Sequence, residues 1–156
     1  MAYDKIIPVK ARLDHCVAYV LNPEKTGLAD ALVYIENSEK TALPDGSAQL
    51  TTAINCQLDT ALQDMLRTKH RWGKENGVQG YHLIHSYAPG EVTPAEAHRM
   101  GVEMAKRLLG DKYEVIVATH LDHDHLHCHI LFNSVCFMDG SKFRNTFQDY
   151  YRDIRG

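Results

Sequence analysis

Apolar positions recur along this chain with two periods. Residues 3–9 (YDKIIPV), 81–87 (YHLIHSY), 113–119 (YEVIVAT) and 126–137 (LHCHILFNSVCF) are short and rich in β-branched and aromatic residues, and they predict strands. Residues 50–55 predict a shorter one. Elsewhere the apolar spacing is helical. Leu13, Cys16, Val17, Val20 and Leu21 predict a short helix over 12–22, stopped at Asn22-Pro23 because a residue before proline disfavours helix. Leu58, Leu62, Met65, Leu66 and Trp72 predict a helix over 57–72, with Gly73 just past its end. Thr93-Pro94-Ala95-Glu96 is a capping box with proline at the first helical position, so a helix runs from there to about Leu109 and ends at Gly110. Turns are expected at 44–48, 74–80, 88–90 and Asp139-Gly140, and 146–156 reads as the start of another helix.

The order of elements gives an α+β fold, a central antiparallel sheet flanked by helices. A short echo, YVLNPEKT at 19–26 and YIENSEKT at 34–41, is too small for a repeat array and reads as two helix-plus-turn units. With 156 residues and no internal boundary, 1–156 is expected to be one domain. Its last predicted helix stops abruptly at Gly156, so truncation at the C-terminal end is expected.

Composition changes the picture little. Apolar residues make up 44% and charged residues 24%, ordinary values for a globular protein. No apolar run approaches the ~20 residues that span a bilayer, and the first residues lack a signal-peptide stretch, so a cytoplasmic protein with no membrane insertion is expected. Cys16, Cys56, Cys128 and Cys136 form no CxxC pair, and buried free thiols are expected. The net charge of -3 argues mildly against nucleic-acid binding. Basic clusters at Lys69, His70, Arg71 and Lys74, at Arg99, Lys106 and Arg107, and at Lys142, Arg144, Arg152 and Arg155 read first as solvated faces.

The strongest chemical signal is HLDHDHLHCHILFN, residues 120–133. Side chains alternate along a strand, so His127, His129, Leu131 and Asn133 share one face while Leu126, Cys128, Ile130 and Phe132 share the other. His120 closes the preceding strand, and a turn over 121–126 folds it back beside His127 and His129. Three imidazoles with open positions left over mark a catalytic metal site. Asp122 and Asp124 are near enough to fix imidazole tautomers. Nitrogen ligation favours Mn²⁺ or Zn²⁺ over Mg²⁺, and phosphate oxygens would relax that preference. His123 and His125 read as exposed or outer residues.

These residues carry a resemblance. HLDHDHLHCHILFN resembles the third motif, HxDxDxxHxHxxxN, of conjugative relaxases of the HUH endonuclease superfamily, in the mobilisation class of plasmid and tumour-inducing-plasmid relaxases. It maps onto His120, Asp122, Asp124, His127, His129 and Asn133. HLIHSYAPGE at 82–91 resembles the second motif, with Ser86 and Glu91 at the matching positions near DNA. HCVAYVLNPEKT at 15–26 resembles the first, with Tyr19 at the position of the nucleophile. The resemblance implies a relaxase-like palm and a metal-dependent endonuclease, with Mn²⁺ or Mg²⁺ in function and Zn²⁺ or Ni²⁺ possible as bound ions. It also implies site- and strand-specific nicking of single-stranded DNA at an origin of transfer, through a 5′-phosphotyrosine. Accessory mobilisation proteins and a type IV secretion channel are the implied partners.

A tyrosine with its usual pKa of about 10 is protonated at neutral pH, so Tyr19 needs a base, for which Asp122 is the candidate. Tyr34, in the echo, is the rival nucleophile; Tyr150 and Tyr151 are weaker ones. Trp72 could stack on a base, but its helical spacing favours the core. Three other readings compete. A rolling-circle replication initiator shares the chemistry but places its tyrosine after the histidines. A small-molecule metalloenzyme would bind metal without capturing DNA. A non-catalytic DNA-binding module would need no metal.

Overall fold

Among the described residues, five strands order as β1-β3-β5-β4-β2, every neighbouring pair antiparallel. They are β1 (Tyr3–Val9), β2 (Thr51–Ile54), β3 (Gly80–Tyr87), β4 (Val115–Asp122) and β5 (His125–Asn133). Among the described residues, the helices α1 (Ala61–Trp72) and α2 (Pro94–Leu109) accompany them. The computed structural model describes residues 3–9, 32, 50–88, 90–122 and 125–144. The helix expected at 12–22, the echo, the turn at 44–48, the helix expected at 146–156, and Tyr19, Tyr34, Tyr150 and Tyr151 lie outside those residues.

The architecture is the α+β class that the periodicity predicts, and β1 and β2 fall where expected. β4 starts two residues later than its apolar run, because the Tyr113 carbonyl accepts from the Asn55 side chain and the ladder begins at Val115–Phe132. It then continues to Asp122, its last residue, which pairs with His125, the first residue of β5. β5 ends at Asn133, whose Oδ1 accepts from the Val135 amide and turns the chain away. Gly140, at φ 77°, makes the Asp139-Gly140 turn. Its bare Cα lies against the half-buried Trp72, where a Cβ would stand 2.6 Å from ring atoms.

Each face of the sheet has its own apolar cluster. α2 covers one, packing on Leu83, Tyr87, Val117, Cys128, Ile130 and Phe132. The capping box is present: Thr93 Oγ1 accepts from the Glu96 amide, and Glu96 Oε1 accepts from the Thr93 amide. On the other face Ala61 and Met65 of α1 pack with Val9, Leu32, Ile116, Ala118 and Leu131. The buried stripe of α1 is Ala61, Met65, Thr68 and Lys69. This corrects the expected stripe. Leu58 sits in a 3₁₀ turn before the helix and is 37% exposed. Lys69, expected on a solvated basic face, is only 1% exposed.

Candidate functional site

The strand register gathers the histidines. His120 is directly opposite His127, Ala118 is opposite His129, and on the other flank Ser86 is opposite His127. Directly paired residues share a face, so His120, His127, His129 and Ser86 all lie on the α1 side of the sheet. The β4–β5 turn, the 88–91 turn and Tyr3, paired with Ser86, are at that same end. α1 packs lower down, over Leu131 and Ile116, and leaves the upper half of this face to the imidazoles.

The His120 and His129 ring centroids are 4.0 Å apart, and those of His127 and His129 are 6.4 Å apart. His120 is 2% and His129 3% exposed, while His127 is half-buried. Ser86 Oγ is 3.0 Å from His127 Nδ1, and His82 Nε2 is 2.7 Å from His129 Nδ1. Among the described residues, no three His, Cys, Asp or Glu donors already converge as a cage for an ion. The donor set nevertheless fits a divalent cation. Three imidazoles share one face, and two of them have Nδ1 in contact with a β3 side chain, so a cation held there would be met by Nε2 of those two. Cys128, between the two histidines in sequence, contributes nothing to the set: it faces α2, and burial pushes its thiol up to about 12.

The remaining expected residues divide between the two ends of the sheet. Glu91 Oε1 accepts from the Ala88 amide at 2.9 Å, and the Glu91 amide donates to the Ala88 carbonyl, so this exposed carboxylate closes the turn beside the site. Asp122 is placed by its backbone in the hairpin; its side chain, His123 and Asp124 lie outside the described residues. Asn133 shares the histidine face but stands six residues beyond His127, about 20 Å along the strand. There its amide donates to the Met65 carbonyl and Glu114 Oε1, and its Oδ1 accepts from Lys69 Nζ at 2.6 Å. The structure therefore places Asn133 in a buried brace at the opposite end of the sheet.

Two residues of consequence are not among the matched motif positions. His82 opens the second-motif segment HLIHSYAPGE, and alternation there puts it on the face of Ser86. Lys69 was legible only as a position four residues after Met65 on the buried stripe.

Fold and site together define the class: an α+β protein whose open antiparallel sheet carries a histidine cluster on its two central strands, with a serine at the neighbouring strand's end. Residues 34–155 match the family model "Relaxase: MobA/VirD2-like, nuclease domain", and the chain belongs to that family. It is 43% identical over 99 residues to Protein rlx of Staphylococcus aureus, covering 64% of this chain and 31% of that protein. It is 41% identical over 71 residues to the group II intron-interrupted relaxase LtrB of Lactococcus lactis subsp. cremoris, 45% of this chain and 13% of that protein. Protein TraI of Escherichia coli is 34% identical over 87 residues, 53% of this chain and 12% of that protein. The chain thus spans about a third or less of the length of the curated relatives it matches.

Proposed function

We propose that this chain is the nuclease domain of a conjugative relaxase, with 1–156 forming one domain of a longer protein that nicks single-stranded DNA at an origin of transfer. The observation that carries this reading is the meeting of His120, His127 and His129 on one sheet face in a member of the relaxase family. His120, His127 and His129 would hold a divalent cation, Mn²⁺ or Mg²⁺ in function, through their Nε2 atoms. Bound there, such an ion neutralises charge on the scissile phosphate and polarises a phosphoryl oxygen. Ser86 accepts the Nδ1 proton of His127 and keeps that ring in one tautomer. Glu91 shapes the turn along which the DNA strand would pass.

Tyr19 is the nucleophile in this reading. Its phenol gives its proton to a base, for which Asp122 is the candidate, and the phenolic oxygen forms a bond to phosphorus. The bond from phosphorus to the 3′ oxygen breaks, and that oxygen takes up a proton. The products are a 5′-phosphotyrosine and a free 3′ hydroxyl, and the ester bond is retained for resealing or transfer. Asp124 would lie among the outer residues of the site. The protein would work in the bacterial cytoplasm with accessory mobilisation proteins and a type IV secretion channel. Among the described residues, no helix is long and apolar enough to cross a membrane.

Covalent capture tests this. The protein and its Tyr19→Phe variant are mixed with Mn²⁺ and labelled single-stranded oligonucleotides tiled across the DNA flanking its coding sequence, then run on a denaturing gel. The expected outcome is a denaturation-resistant adduct with wild type and none with Tyr19→Phe. An adduct that survives in Tyr19→Phe and disappears in Tyr34→Phe moves the nucleophile to Tyr34. No adduct from metal-loaded protein extended along its natural reading frame overturns the relaxase reading in favour of a small-molecule metalloenzyme.

A further inference from the structure

His82 is a histidine of β3 that the motif positions do not include. Its directly paired neighbour on β5 is Leu131, yet its ring reaches diagonally to His129. The two ring centroids are 4.9 Å apart, the planes are tilted by 37°, and His82 Nε2 is 2.7 Å from His129 Nδ1. His82 is 8% exposed, too enclosed to meet a DNA strand directly. Two positions along the same face, beyond Ile84, Ser86 makes the equivalent contact with His127 Nδ1. β3 thus addresses the same nitrogen of His127 and of His129.

The chemistry of an imidazole ligand says what this contact does. A neutral histidine that gives its Nε2 lone pair to a cation carries its one proton on Nδ1. That proton needs an acceptor, which fixes the tautomer and the ring plane and raises the basicity of the ligating nitrogen. We propose that His82 is a positioning residue of the metal centre: its Nε2 accepts the Nδ1 proton of His129, so that His129 presents Nε2 to the cation. This rests on the assignment of His120, His127 and His129 as ligands. It requires His82 to be neutral, with its own proton on Nδ1. A role for His82 as a fourth ligand fits less well. Two nitrogens bound to one ion at about 2.0–2.1 Å stand roughly 3 Å or more apart, whereas 2.7 Å is a hydrogen-bond separation.

The matched pair His82→Gln and His82→Met tests the proposal. The two side chains are similar in length and volume, but only glutamine offers an oxygen acceptor to His129 Nδ1. Mn²⁺ affinity is measured by titration calorimetry on chelator-treated protein, the number of coordinated nitrogens by pulsed EPR of the Mn²⁺-loaded protein, and stability by thermal melting of the metal-free forms. The expected result is Mn²⁺ binding weakened about 10–100-fold in His82→Met and largely restored in His82→Gln, with the same nitrogen count as wild type. The metal-free melting temperatures should not follow that order. If His82→Met does not fold, His82→Leu replaces it as the variant without an acceptor. Equal Mn²⁺ affinity in wild type and both variants overturns the proposal while leaving the site assignment standing. A loss as large in His82→Gln as in His82→Met, with one nitrogen fewer, overturns it by making His82 a ligand. Wild type that takes up no Mn²⁺ overturns the assignment of the site, and the role of His82 with it.

Discussion

Lys69 lies on the buried side of α1, and its Nζ donates to the Gln79 carbonyl at 2.6 Å, Asn133 Oδ1 at 2.6 Å and Ser134 Oγ at 3.0 Å. Thr68 and Asn133 bind the buried Glu114 alongside it. The brace ties α1 to β5, to the residues that lead into β4, and to the loop before β3. Burial, with some repulsion from Lys142, lowers the Lys69 amine to about 7, and Glu114 opposes that descent. Removing the amine strands three acceptors, so Lys69→Met should destabilise the protein by about 3 kcal/mol in urea titrations. The pH dependence has a definite sign. An amine depressed in the folded state relative to 10.5 in the unfolded chain binds fewer protons when folded between about pH 7 and 10.5. Folding therefore becomes more favourable as pH rises through that window. The loss in Lys69→Met should widen from pH 7 to pH 9. A loss independent of pH would mean that the three acceptors and Glu114 hold Nζ charged throughout. Sequence conveyed little of this. Met65 marked the stripe, but a lysine is read as surface until its acceptors are known, and those come from two other segments, at Gln79 and at Asn133 and Ser134. For Asn133, alternation gave the correct face, but strand parity carries no information about which stretch of that face a helix covers.

At the level of elements, α2 lies against the back of the histidine strand through a glycine. A Cβ at Gly101 would overlap Cys128 Sγ and stand 3.4 Å from the Cys128 Cβ. Gly101→Ala should therefore cost about 1–3 kcal/mol by overpacking. Most of that cost should vanish in a Cys128→Ala background, giving a coupling of about 1–2 kcal/mol in a double-mutant cycle. Simple additivity would show that helix and strand do not approach this closely in solution. His98 makes a second tie from the same helix, with Nε2 at 2.7 Å from Thr52 Oγ1 and Nδ1 at 2.9 Å from Thr119 Oγ1; its desolvation lowers its pKa. The start and end of α2 were legible because caps are local chemistry, as the Thr93–Glu96 box shows. The limits of β4 and β5 were not, because the Asn55 and Asn133 side chains that set them act through folded contacts.

For the whole molecule, the sheet divides its α1 face by depth: a braced apolar half under α1 and a polar half with the imidazoles. The histidine half was readable from HLDHDHLHCH, and family resemblance supplied its chemical meaning. What the residues alone left open was the partner strand, since β3 becomes the neighbour of β5 only through long-range pairing. A cation that binds only the folded histidine cluster should stabilise the protein by mass action, about 2.7 kcal/mol at a hundredfold excess over Kd. Adding Mn²⁺ should raise the urea midpoint, chelation should reverse the rise, and His120→Ala should abolish it. A midpoint indifferent to Mn²⁺ would argue against the cluster as a cation site.

The strand order also has a consequence in time. β1 is made first, yet its partner β3 follows only after the long intervening segment, as the pairing of Val9 with Gly80 records. β4 and β5, by contrast, are separated by only two residues of chain. Hairpins of that kind close within about 1–10 μs, whereas distant pairing must wait for the chain and bear the entropy of a long loop. During synthesis at ~5–20 residues per second, β1 therefore spends seconds as a strand without its mate. Its Asp4, Lys5 and Pro8 are the kinds of residue that discourage pairing with a stranger. The histidines of β4 and β5, by contrast, ride on the pair that meets fastest once both of its strands exist.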